Sequence, residues 1–292
     1  METSENLYFL NRGDLVQRGK ALAGQYQSGD PFPHIQIDDF FPVDVARRIG
    51  SEFPKSDFAG FIQPDNAFQK GKLGRTQENY LEGLPPFVRH MLNEFNGLAF
   101  IDFLEALTGI KGLIPDTHYK GGALHQILPG GSLAIHADFN RDLHRKLRRR
   151  VNVLFYFNDA WDASWGGNLE LWDRQMTKCE KSISPLMNRC VIFNTTSDSF
   201  HGHPDPLNCP PDRTRKSIAL YYYTSDPDEA ARTHTTLWRR RPGVDEPEGE
   251  GDWIVGKESF FGPRRIALAK HFVKSWTPPA LWSFLKKLRR RS

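Results

Sequence analysis

A chain of 292 residues that is 39% hydrophobic and 12% aromatic can build a sizeable core, as one large domain with additions or two modest ones, and is too apolar to be disordered. A formal net charge of +4 excludes overall polyelectrolyte character. Cys179, Cys190 and Cys209 are odd in number, METSENLYFLNRGD lacks the basic-then-apolar pattern of a secretory signal, and no run reaches the roughly 18 apolar residues of a membrane span; a soluble protein of the reducing cytoplasm is expected, not a disulfide scaffold.

In chain order, residues 11–29 mix charged and small residues and predict a helix. HIQID, 34–38, alternates like a strand, Pro42 follows, and Asp44 is placed to cap a helix running through Phe53. Between 84 and 110 the apolar positions take helical spacing from Pro86 onward. Residues 1–112 thus predict a mostly helical support region with one early strand.

From about 113 the texture changes. ALHQIL, SLAIHADF, RVNVLFYFN, GNLELWD, RCVIFNTT and SIALYYYT predict strands, with breaks at PGG (129–131), NDAWDASWGG (158–167) and NCPPD (208–212). Short strands without alternating helices favour an antiparallel sandwich or barrel over residues 113–225. Residues 226–292 predict an extension: a charged Pro/Gly linker, RRRPGVDEPEGEGDW (239–253), then helix over 264–292 with a break at Pro278–Pro279.

The chemistry centres on LAIHADFN, 133–140. Strand residues two apart share a face, so His136 and Asp138 project together. A core histidine beside an aspartate is the commoner reason for such a pair. Here SFHGHPDP, 199–206, supplies a further ligand in His201 or His203. Two histidines and one carboxylate form the facial triad of non-haem Fe(II) oxygenases, with positions left open for co-substrate and oxygen. Fourteen residues past His201 stands Arg215, sharing a strand face with Ser217. A guanidinium and a hydroxyl inside a small barrel are costly unless an anion meets them, and Arg suits a bidentate grip on a carboxylate.

HADFN, YFN…GGNLELWD, FNTTSDSFHGHPDPL and RKSIALYYYT, with the early PFPHIQIDDFFP, resemble the iron(II)- and 2-oxoglutarate-dependent dioxygenases of the prolyl 4-hydroxylase-like branch over residues 31–225. The resemblance implies a mainly β fold with flanking helices: a double-stranded β-helix, or cupin-like jelly roll. It implies Fe(2+) on His136, Asp138 and His201, the family's H-G-x-P pattern favouring His201 over His203. It places the distal carboxylate of 2-oxoglutarate on Arg215 and Ser217, shared with the Tyr156 hydroxyl. Asn152, on the same strand face as Tyr156, is expected to line that pocket. Where relatives carry a tyrosine about ten residues before the first iron ligand, this chain has His125 and Gln126, and Gln126 is taken as a co-substrate contact. The implied reaction uses O2 as co-substrate, releases succinate and CO2, and hydroxylates an unactivated C–H bond, with ascorbate a candidate reductant. A peptidyl prolyl residue is the family's default acceptor; a small molecule, a glycan or a lipid-linked substrate is the rival. From another class, a non-catalytic metal-binding jelly-roll protein would keep the triad but have no use for Arg215.

Two basic clusters stand apart. RDLHRKLRRR, 141–150, reads equally as a solvated loop or as a clamp for an anionic substrate. LWSFLKKLRRRS, 281–292, places Leu281, Phe284, Leu285 and Leu288 on one helical face among basic residues; docking on its own domain is preferred to peripheral membrane contact. No motif points to nucleic acid. Trp238, in HTTLWRRRPG, is expected to pack near the barrel mouth.

Overall fold

Alternation along β7 (Leu147–Tyr156) sorts the protein into two faces. Val151, Val153 and Phe155, with Phe157 just beyond, point outward to a helical layer; Asn152, Leu154 and Tyr156 point into a curled sheet. The computed structural model describes residues 8–75, 81–226, 232–249, 251 and 253–254. Chain contacts divide the molecule into Met1–Pro227 with His234–Asp252, and a second unit of Asp228–Thr233 with Trp253–Ser292. Apart from Thr233, the elements below belong to the first. The expected helix at 264–292 and the basic face at 281–292 lie outside the described residues.

The helical layer forms largely where periodicity predicts it. Helix α1 (Arg12–Gln27) is capped by the Asn11 side chain, which accepts from the Asp14 N–H. Helix α2 (Val43–Ser51) follows β1 (His34–Ile37), but Pro42 holds the cap position; Asp44 sits inside the first turn, where its charge suits the helix dipole without capping it. The stretch from Pro86 is two helices, α3 (Pro86–Phe95) and α4 (Leu98–Thr108), because Gly97 turns extended between them. Among the described residues no helix is long and apolar enough to cross a membrane.

The sheet is antiparallel and curls as a jelly-roll half-barrel. Its strand order is β1, β10 (Arg189–Asn194), β7, β12 (Arg215–Ser225), β5 (Ala123–Ala137), β11 (His201–His203), β8 (Leu169–Trp172) and β9 (Cys179–Ile183). Residues 61–75 add strands not expected from the sequence, β2 (Phe61–Ile62) and β3 (Gln69–Arg75), and β3 pairs with β5. Two short strands lie between β3 and β7: β4 (Ile114–Pro115) pairs with β12, and β6 (Arg141–Asp142) pairs with β7.

The PGG at 129–131 does not break β5; it bulges it. Lys70 faces Ser132 and Lys72 faces Ile127, so two steps on β3 oppose five on β5. Gly130 takes φ +74°, and a Cβ on Gly131 would lie 2.6 Å from the Ile127 side chain and 2.8 Å from the Leu128 carbonyl. Before the bulge β5 pairs with β12; after it, with β11. One strand thereby joins the Arg215 end of the barrel to the His201 end.

Phe155 anchors the sheet to the helices, with ring centroids 5.1 Å from Phe40 and Phe41, 4.8 Å from Phe95 and 6.0 Å from Phe100. Phe155→Ala is expected to cost about 3–5 kcal/mol in urea unfolding. A loss under about 1 kcal/mol would show that this aromatic layer does not carry the sheet.

Candidate metal centre and co-substrate pocket

His136 lies near the end of β5, directly opposite His201 on β11, and Asp138 follows just past the strand. One donor atom from each lies within 4.8 Å of the others, close enough for one ion to touch all three. His136 Nε2 is 3.7 Å from Asp138 Oδ1, and His201 Nε2 is 3.4 Å from Asp138 Oδ2. Each imidazole Nδ1 lies 2.9 Å from a backbone carbonyl, Ala134 for His136 and Ser199 for His201. A carbonyl can only accept, so each Nδ1 carries the proton and each Nε2 offers its lone pair toward Asp138. This donor set fits a divalent cation. Burial, reinforced by His201, pushes the His136 pKa down to about 3, so its ring is neutral as a ligand must be. His203 stands outside the triad.

Burial alone would raise the Asp138 carboxyl, but Arg149 holds it well below the usual carboxylate range. Arg149 is fully buried, and its Nη2 is 3.0 Å from Asp138 Oδ2. Asn152 completes a clamp: its amide donates to Asp138 Oδ2 at 2.7 Å, and its Oδ1 accepts from Arg149 Nε at 3.0 Å and Nη2 at 2.8 Å. The guanidinium lies 3.5 Å from the centre of the Tyr221 ring. Asn152 therefore braces an expected metal ligand, a correction to its placement in the co-substrate pocket. Arg149 escapes the sequence reading because β7 bulges against β12 between Val151 and Arg149, which breaks the alternation. Its basic neighbours are partly neutralised as well. Arg141 pairs with Asp226, and Arg145 with Asp116 and Asp142, each at 2.9 Å. Arg141, Arg145 and Arg149 of the 141–150 cluster are thus tied into ion pairs, while Lys146 and Arg148 are exposed.

At the other end, Arg215 is 4% exposed and has no carboxylate partner among the described residues. Its Nε donates to the Gly167 carbonyl at 2.7 Å and its Nη2 to the Tyr156 hydroxyl at 3.3 Å. Gly167 has φ +73°, and a Cβ there would lie 2.5 Å from Leu207 and 3.0 Å from Arg215 Cδ, which accounts for the second glycine of the GG pair. Ser217 lies opposite both Tyr156 and His125, so all three share the inner face. Gln126 points the other way: its amide donates to the Pro54 carbonyl at 2.7 Å and accepts from Thr214 Oγ1 at 2.8 Å. Its assignment as a co-substrate contact is corrected; of the HQ pair, His125 faces the pocket.

Two further residues border the site. Lys72, on β3, lies opposite Ile127 on the inner face; burial pulls its pKa down to about 8, with Asp138 opposing the shift and Arg215 adding to it. QKGKLGR has no strand-like alternation of apolar residues, so the sequence offers no signal for Lys72. Trp238, on β14 (Leu237–Trp238), pairs with His136; between β12 and β14 lies β13 (Thr233–His234). The Trp238 ring lies 4.9 Å from that of His136 and stacks on Phe68 at 5.0 Å. RRRPGVDEPEGEGDW is also less free than a linker: Arg241 pairs with Asp205 at 2.9 Å and with Glu246 at 2.7 Å.

Arg149→Met is expected to lower metal affinity about 10- to 100-fold by isothermal titration; unchanged affinity would show that the clamp does not orient Asp138. His125, His136 and His203 all have folded pKa values below the ordinary 6.5. Below pH 6.5 the unfolded chain takes up protons that these buried rings refuse, so stability falls as pH falls. For His136 the window runs down to about 3, at about 1.4 kcal/mol per pH unit for each ring. Urea unfolding of the metal-free protein at pH 7.5 and 5 should show the loss, and a flat profile would contradict buried neutral imidazoles.

Residues 122–223 match the model of the 2OG-Fe(II) oxygenase superfamily. No curated protein sequence matches the chain. A prolyl hydroxylase from Trichoplax adhaerens, in complex with a hypoxia inducible factor oxygen degradation domain peptide fragment, is similar in structure, with TM-score 0.54 and 15% identity over 72% of this chain and 91% of that one. A Pseudomonas putida prolyl-4-hydroxylase gives TM-score 0.46 and 17% identity over 70% and 98%. HygX from Streptomyces hygroscopicus, with nickel, 2-oxoglutarate and hygromycin B bound, gives 0.45 and 12% over 67% and 84%. At these identities the Trichoplax structure supports the jelly-roll fold, and the family match speaks for the chemistry of the strands that carry His136, Asp138, His201 and Arg215. The segment 122–223 of this chain belongs to the 2OG-Fe(II) oxygenase superfamily, which makes the protein a dioxygenase with iron and 2-oxoglutarate as cofactors.

Proposed function

We propose that the protein hydroxylates an unactivated C–H bond. The observation that carries this reading is the pairing, in one barrel, of a one-sided His–Asp–His donor set with a buried guanidinium that lacks a carboxylate partner. His136, Asp138 and His201 would hold Fe(2+), leaving its remaining positions open. Arg215, Ser217 and Tyr156 would hold the distal carboxylate of 2-oxoglutarate. When bound, iron and 2-oxoglutarate supply the oxidising chemistry that turns C–H into C–OH with release of succinate and CO2.

The chain's own residues bind, orient and exclude. Burial raises the pKa of the Tyr156 hydroxyl, so it remains a hydrogen-bond donor at neutral pH. Asn152 and Arg149 fix the Asp138 carboxylate, and Phe193 backs the His201 ring at 4.7 Å. Leu169, Leu171, Val191 and Phe193 pack with Tyr156 in the interior and exclude water. As acceptor we place first a peptidyl prolyl residue, since the Trichoplax enzyme of this fold was solved with a peptide.

The test is anaerobic titration of the metal-free protein with Fe(II) and 2-oxoglutarate, following the visible charge-transfer band of the chelate. Wild type should show the band, His136→Ala should lose it, and Arg215→Ala should need about a hundredfold more 2-oxoglutarate. No band in wild type would overturn the reading and favour a jelly-roll protein that binds metal without this co-substrate.

A further inference from the structure

Lys72 stands in the barrel interior without a partner. It lies opposite Ile127 on β5, and Ile127 lies opposite Arg215 on β12, so all three share the inner face. The ammonium is attracted by Asp138 and repelled by Arg215 and Arg149. It acts in turn on His125, His136 and His203. No described residue gives it a hydrogen bond or an ion pair, and it is only partly buried, so a ligand can reach it. His203, 4% exposed on β11, has an Nδ1 atom with no hydrogen-bond partner among the described residues.

The cofactors do not use up this charge. Asp138 is matched by Arg149. Of the two carboxylates of 2-oxoglutarate, one meets Arg215 and the other meets the divalent metal. Positive charge remains in excess, and Lys72 is the part of it that has no counterion. An ammonium and an imidazole nitrogen both left unsatisfied inside a barrel are costly unless a ligand supplies the missing acceptor. The Phe68–Trp238 stack beside His136 offers apolar surface to the rest of such a ligand.

We propose that Lys72, on the inner face in register with Ile127 and Arg215, recognises an anionic group, carboxylate or phosphate, on the substrate while the attacked carbon faces the metal centre. This rests on the 2-oxoglutarate reading above and adds the substrate class to it.

The experiment uses the full chain, loaded with Mn(II) and 2-oxoglutarate, in wild-type and Lys72→Met forms. Inorganic phosphate and 13C-acetate are the probes, read by paramagnetic relaxation of 31P and 13C. A saturable enhancement is expected in wild type, with the dissociation constant raised about tenfold or more in Lys72→Met. The 2-oxoglutarate affinity of the same variant, read from the Fe(II) chelate band, should stay within about twofold of wild type. Saturation by phosphate alone assigns a phosphorylated substrate; saturation by acetate assigns a carboxylate. The proposal is overturned if neither anion saturates, if Lys72→Met binds both as wild type does, or if it loses 2-oxoglutarate instead, which would make Lys72 part of the co-substrate site. A wild type without the chelate band defeats the preceding section, and the anion titration on the Mn(II) protein alone then decides the role of Lys72.

Discussion

The site depends on one ionised carboxylate held within the curl of the sheet. Burial alone pushes the Asp138 carboxyl toward its neutral form, and a neutral carboxyl is a poor ligand for a hard cation. Arg149 reverses that balance from 3.0 Å, and Asn152 ties both groups together. The arrangement is a relay of constraint. Tyr221 supports the guanidinium, the guanidinium holds the carboxylate, and the carboxylate lies within 3.7 Å of both histidine Nε2 atoms. Substituting any of these groups leaves a buried charge or polar atom without its partner, which costs more than the contact itself contributes.

The fold serves this constraint through β5. A regular strand would stay with one neighbour; the bulge at Gly130–Gly131 lets β5 pair first with β12 and then with β11. The two ends of the pocket are therefore registered against one strand, Arg215 through β12 and His201 through β11. The outer face of the same sheet is fixed by the aromatic layer around Phe155, so the pocket is held rigid from behind.

Much of this is legible in the sequence, for a physical reason. His136 with Asp138, and Arg215 with Ser217, lie two apart in or at the end of strands whose period is two, so shared faces can be read directly. The failures share a physical reason as well. A bulge shifts the period, and it hid Arg149 in a basic run that reads equally as a solvated loop or as an anionic clamp. Gln126 and His125 occupy opposite faces, which HQ alone does not distinguish. Strand β3 is QKGKLGR, whose pairing comes from β5 and not from its own propensity. Pro42 took the cap from Asp44 and Gly97 divided a helix that periodicity alone would join.

The wall beside His136 does not end where the family match ends. Trp238 reaches that ring from β14, fifteen residues past the matched segment, and stacks on Phe68, which precedes the segment by more than fifty. The matched strands are thus completed by residues from both flanks of this chain. Those flanks line the ground next to the metal centre, where a substrate must come. Selectivity can then drift by changes in the flanks while the strands that hold the cofactors stay as they are, so a comparison limited to the matched strands would see the chemistry and miss what distinguishes this protein's choice of partner.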